Sequence, residues 1–200
     1  MSKKIPGHIL YRGPSSIDGA PIVAIATMES KNPKTGTDKN GKPMIQTWIL
    51  REDVAPGDAV RSGEDRSICG DCRHRGRYDS SGKRWVDRTC YVRVHNAPRS
   101  IWQAYKRGNY TDLTKMADQA LEMGIVGRDR QVRLGAYGDP YAVPYKVWAN
   151  LIRRANGHTG YTHQWRYIPP GIESDAWQLL LMASADTAAD AADATARGWR

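Results

Sequence analysis

The sequence predicts an α/β protein, a parallel sheet or partial (β/α) barrel preceded by a small N-terminal β element. Three observations carry this. Beyond about residue 110, β-prone runs alternate with helix-like segments, a pattern that calls for crossovers between parallel strands. Near the N-terminus, two apolar runs flank a loop dense in Gly, Pro, Asn and Lys. Between these regions lie the only three cysteines, Cys69, Cys72 and Cys90. Residues 1–52 are therefore expected to form the β element with its basic hairpin loop. Residues 53–200 form the cysteine segment and half-barrel.

Composition narrows the function classes. At 40% hydrophobic residues over 200 positions, the chain can bury a real core and is not of disordered type. No apolar run reaches the roughly 20 residues of a membrane span. The N-terminus lacks an apolar signal region, so the expectation is a cytoplasmic protein with reduced thiols. The net charge of +9 permits contact with nucleic acid without requiring it.

In order, residues 21–28 and 44–50 read as strands joined by the long loop 29–43, whose lysines could reach phosphate. Residues 51–68 read as a polar connection. The stretch 73–88 is strongly basic, with a turn at Asp79–Gly82. Arg99–Lys106 reads as a short helix. Asp112 is placed to cap a second helix that Gly124 stops. Residues 131–137 read as a strand. Pro144 opens a helix ending near Ala155. Residues 159–163 read as a strand, and the nearly continuous apolar run 177–183 as another, buried on both faces. Residues 187–196 form an alanine-rich outer helix. The chain stops where a further strand would be expected, as in a truncated or compact barrel.

Parallel α/β folds gather their chemistry outside the carboxyl ends of the strands. Three such ends carry polar groups: Asp139, then His163 with Gln164, then Asp186. Asp139 and His163 are the candidates for positioning a ligand or moving a proton, and Gln164 and Asp186 for holding a cofactor. Each also has a plain structural role open to it. Asp139 and Asp186 could cap turns or helices, and His163 could be a half-buried core histidine.

Cys69-Gly70-Asp71-Cys72 and the later Cys90 have the makings of a metal site. Two solutions compete. A zinc ion could take the three thiolates with His95 or His74 as the fourth ligand, in a closed structural site of the kind found in nucleic-acid-binding modules. An iron–sulfur cluster could take the three thiolates alone and keep one iron open to a small molecule.

Four blocks add a resemblance. Ile68–Arg75, Thr89–Val92, Val132–Pro140 and Thr159–Trp165 look like an uncharacterised group of phage- and prophage-encoded proteins. More distantly, they resemble the phage gene product eighty-eight family. The likeness spans about residues 44 to 200 and lies in the order and spacing of the blocks. It implies a radical-SAM-like half-barrel with the cysteines at the mouth of the sheet, hence an iron–sulfur cluster and S-adenosylmethionine as the small molecule. It brings no established reaction. The spacing here, Cys-x2-Cys-x17-Cys, departs from the Cys-x3-Cys-x2-Cys usual in that superfamily. The runner-up function is a non-catalytic, zinc-stabilised protein that binds nucleic acid through residues 73–88 and loop 29–43.

Overall fold

In the computed structural model, which describes residues 7–28, 41 and 44–200, the chain begins with three antiparallel strands. These are β1 (Gly7–Pro14), β2 (Pro21–Thr27) and β3 (Ile45–Arg51). The two expected N-terminal strands are β2 and β3, paired from Ile22 with Arg51 to Thr27 with Gln46. The loop expected over 29–43 lies outside the described residues, apart from Gly41. Strand β1 was not anticipated, because its apolar positions do not alternate and a bulge breaks its pairing between Ile9 and Tyr11. Residues Ile22 to Ala26 are all fully buried, as in a central strand covered on both faces.

Residues 51–68 are more than a connection. They fold into α1 (Pro56–Ser62) and α2 (Arg66–Cys69), both too short for a periodic signal to stand out. The basic stretch forms a separate hairpin of β4 (Arg77–Asp79) and β5 (Arg84–Val86). Asp79 accepts from the backbone N–H and hydroxyl of Ser81 at its turn. Helix α3 (Ala97–Lys106) lies where expected, and Trp102 Nε1 donates to the carbonyl of Arg51 on β3.

The helix expected from Asp112 is displaced. After the short β6 (Thr111–Asp112), Asp112 caps a single 3-10 turn, and Asp118 caps the true helix, α4 (Gln119–Gly127). Gly124 is inside this helix and does not end it. Strand β7 (Gln131–Tyr137) leads to α5 (Tyr145–Ile152), which packs so closely on α4 that a Cβ at Gly127 would lie 1.9 Å from the carbonyl oxygen of Leu151. Glycine here serves helix contact.

The run 177–183 is the clearest correction. It is the end of α6 (Ile172–Leu180), followed by a two-residue strand, β9 (Met182–Ala183). Trp177 and Leu180 are buried while Leu179 is 73% exposed, a helical pattern that the short apolar run concealed. Between α5 and α6 lies β8 (Gly157–Thr162), and α7 (Ala188–Ala196), capped by Thr187, ends the chain's regular structure.

The strands form one seven-stranded mixed sheet in the order β6-β1-β2-β3-β7-β8-β9. β3, β7, β8 and β9 run parallel to one another, so the expected parallel α/β portion is present on one side of an antiparallel meander. Among the described residues, no helix is long and apolar enough to cross a membrane.

Candidate metal centre at the strand ends

The three cysteines reach one place by three local devices. Cys69 ends α2, and Gly70 turns the chain with φ 57°, its N–H bonded to the Arg66 carbonyl. A Cβ at Gly70 would lie 2.3 Å from the amide carbon of Gln164, so the turn needs glycine for its backbone and for this contact. Cys72 then precedes the 3-10 turn Arg73–Arg75. Cys90 returns from β5 and donates its backbone N–H to the His74 carbonyl at 3.0 Å. Arg75 pins the assembly from within, donating to Asp65 at 2.6 Å and to the carbonyls of Gly63 and Gly70.

Cys69, Cys72 and Cys90 line a common cavity of about 300 Å³ against the ends of β7 and β8. Asp139 and His163 share its wall. Asp139 is buried, and it joins two loops by accepting from the N–H of Tyr141 at 3.0 Å and of His163 at 2.8 Å. Its expected turn-capping role is therefore real, and the same bonds position His163. Gln164 is buried behind the cysteine loop, its amide 3.4 Å from the Cys69 carbonyl.

The third strand end joins the site from the side. Pairing of β8 with β9 continues through the Ser184 N–H to the Thr162 carbonyl, which brings Asp186 beside His163. Thr187, not Asp186, caps α7. Asp186 Oδ1 lies 2.8 Å from His74 Nε2 and 3.9 Å from His163 Nε2. Cys72 Sγ is 3.8 Å from the same His163 nitrogen. His95, weighed as a zinc ligand, sits instead against Gly57 in a separate cavity with Trp102.

Burial dominates the electrostatics. It pushes the Cys72 thiol up to about 11 and drives Cys69 well above the usual thiol value, with the neighbouring acid and thiols adding to the effect on Cys69. Neither is a thiolate near neutral pH by itself, which argues against either of these two as a free nucleophile. A bound cation would reverse that balance. Burial also pushes Asp139 up to about 6 against its hydrogen bonds. His163 is lowered by burial, partly offset by Asp186, so it is neutral and able to ligate at pH 7.

Three residues of the site went unnoticed in the sequence. The hydroxyl of Tyr137 is buried without a hydrogen-bond partner among the described residues, beside the cavity, and burial with nearby Cys69 raises its pKa far above normal. Arg133 and Tyr91, bonded to each other at 2.7 Å, form part of the wall. Only the position of Tyr137 at a strand end could have drawn attention to it. In the basic stretch, Arg75 is committed inward and Arg88 donates to the Arg75 carbonyl, whereas Arg73, Arg77, Lys83 and Arg84 are exposed. Comparison with family models, curated proteins and solved structures gives no match.

Proposed function

We propose that this is a phage-type metal-binding protein whose Cys69, Cys72 and Cys90 hold an iron–sulfur cluster at the mouth of a radical-SAM-like half-barrel. The observation that carries the reading is the convergence of all three thiols on one cavity at the ends of parallel strands. A single zinc ion held by all three thiols would need them closer together than they stand. Zn–S bonds of about 2.3 Å bring tetrahedral sulfurs to about 3.8 Å of each other. Among the described residues the thiols form no trio with ligand atoms all within 4.8 Å. The partnerless Tyr137 hydroxyl gives the cavity a polar group for a ligand to satisfy.

A cluster held by three thiolates leaves one iron free to bind a small molecule such as S-adenosylmethionine. The protein's own part is to orient it: Asp139 holds the His163 loop, Gln164 backs the cysteine turn, and Arg133 offers a cation to an anionic group. The half-barrel reading draws on the parallel run β3-β7-β8-β9; the phage reading rests on the sequence blocks alone. Anaerobically purified protein should be brown, absorb near roughly 400 nm and contain about four iron and four sulfide per chain, all lost in Cys69→Ala. Colourless protein with one zinc ion per chain would overturn the proposal.

A second reading, zinc-stabilised nucleic-acid binding, is favoured by the exposed Arg77 and Arg84 beside the Tyr78–Trp85 ring pair, whose centroids are 5.0 Å apart. It requires binding to DNA or RNA that weakens steeply with salt.

A further inference from the structure

His74, His163 and Asp186 converge from three segments, and the cluster makes no joint use of them. We propose that His74 Nε2, His163 Nε2 and the Asp186 carboxylate bind one divalent transition-metal ion of zinc or ferrous type, at a second site beside the thiols. Their ligand atoms all lie within 4.8 Å of one another, the one such trio among the described residues. Donors around an ion with bonds of about 2.1 Å stand about 3.0–3.4 Å apart. The measured 2.8 Å and 3.9 Å to Asp186 Oδ1 bracket that range. A plain His–Asp hydrogen bond accounts for the shorter contact. It does not account for a second imidazole nitrogen, that of His163, standing 3.9 Å from the same oxygen and 3.8 Å from Cys72 Sγ.

The surroundings are those of a ligand set. His74 Nδ1 lies 2.6 Å from the Thr89 hydroxyl, which fixes the ring and leaves Nε2 for an ion. His163 is held through its backbone by Asp139. Asp186 lies in an exposed loop, but its side chain is 18% exposed, against 38% for His74. Two imidazoles with one carboxylate select a borderline ion, whereas magnesium and calcium take oxygen ligands. Cys72, 3.8 Å from His163 Nε2, sets this site against the thiol cavity, but the proposal stands without a cluster there.

The test is equilibrium dialysis of chelator-treated protein against Zn(II) and Co(II), in wild type and in a Cys69→Ser/Cys90→Ser variant. One equivalent should bind in both. Asp186→Asn keeps an acceptor for His74 but removes the charge, and should weaken binding about tenfold or more with an unchanged circular dichroism spectrum. His74→Ala should do the same. Affinity in Asp186→Asn within about twofold of wild type would overturn the site, as would loss of the ion from a folded double-cysteine variant. Iron and sulfide analysis of anaerobic protein tests the cluster separately, so either reading can fail alone.

Discussion

Strands β2 and β8 belong to the same sheet but bury different chemistry. β2 buries Ile22, Val23, Ala24, Ile25 and Ala26 without interruption, deep in the antiparallel meander. β8 buries Gly160 and Thr162 and delivers a half-buried histidine at its end. Around that end, polar groups are desolvated: Asp139, Gln164, the Tyr137 hydroxyl and the Cys69 and Cys72 thiols. The meander is arranged for stability, since apolar burial is favourable wherever packing is good. The parallel side carries groups whose burial costs free energy unless hydrogen bonds or a ligand satisfy them; Asp139 and Gln164 have such bonds within the protein. The separation is one of degree, since His8 Nδ1 and Gln46 Nε2 on the meander strands are also buried without a partner among the described residues.

Truncating the meander should produce the largest loss. Ile25→Ala removes fully buried methyl and methylene groups and should destabilise the protein by about 2–5 kcal/mol in urea unfolding, while metal content per folded chain is unchanged. A smaller loss than any site substitution gives would erase the contrast between the two regions.

Asp139 sharpens the contrast through pH. Its folded pKa, about 6, lies above the ordinary 3.8, so between these values the folded state binds more protons than the unfolded one. Stability from this group is therefore fully present below about pH 4 and falls as pH rises to 6. A shift of about two units corresponds to about 3 kcal/mol. Asp139→Asn should flatten the dependence in this window relative to wild type, while losing one of the two backbone hydrogen bonds. Parallel profiles for the two proteins would mean that the Asp139 carboxyl is not strained by burial.

Gly70 should give a similar or smaller effect. Gly70→Ala sets a side chain at φ 57° and displaces the Gln164 amide, at a cost of about 1–3 kcal/mol together with reduced metal retention. Adding Gln164→Ala makes room for the new methyl group, so the double variant should be less damaged than the sum of the two single ones. Strict additivity would show that the two side chains do not meet.

These residues also mark how far the sequence could be read. Cys-x2-Cys with a later Cys, and polar groups at strand ends, are local patterns, and they pointed to Cys69, Cys72, Cys90, Asp139 and His163 at the cavity. The Trp177–Ala183 run misled because a short stretch, apolar but for Gln178, fits a buried strand and a helix end equally well. Asp112 and Asp118 both cap, the first a single 3-10 turn and the second α4, and the local pattern alone does not say which of them opens the longer helix. The His74–Asp186 contact spans 112 positions and depends on the cysteine loop meeting the end of β9, which no local pattern encodes. Tyr137 looked like any strand tyrosine until its hydroxyl was seen to lack a partner.

The smallest effect is expected far from the site, where Arg12 ties the edge of the meander together. Its guanidinium contacts Glu52 at 2.6 Å and Asp112 at 3.4 Å and lies over the Tyr105 ring, while the Tyr105 hydroxyl donates to Glu52. Burial raises the Glu52 pKa, but hydrogen bonds from Tyr105 and Arg12 outweigh it and hold the carboxyl below the usual range. Arg12 is 38% exposed, so water screens much of this attraction. Arg12→Ala should therefore cost only about 0.5–1 kcal/mol, and less at 1 M salt, where the screening length falls to about 3 Å. The sign of the pH effect follows from the lowered carboxyl: the stabilisation is present above the ordinary glutamate value and fades as Glu52 is protonated. A loss as large as that of Ile25→Ala, insensitive to salt, would mean that the meander depends on this polar clasp as much as on its apolar strand.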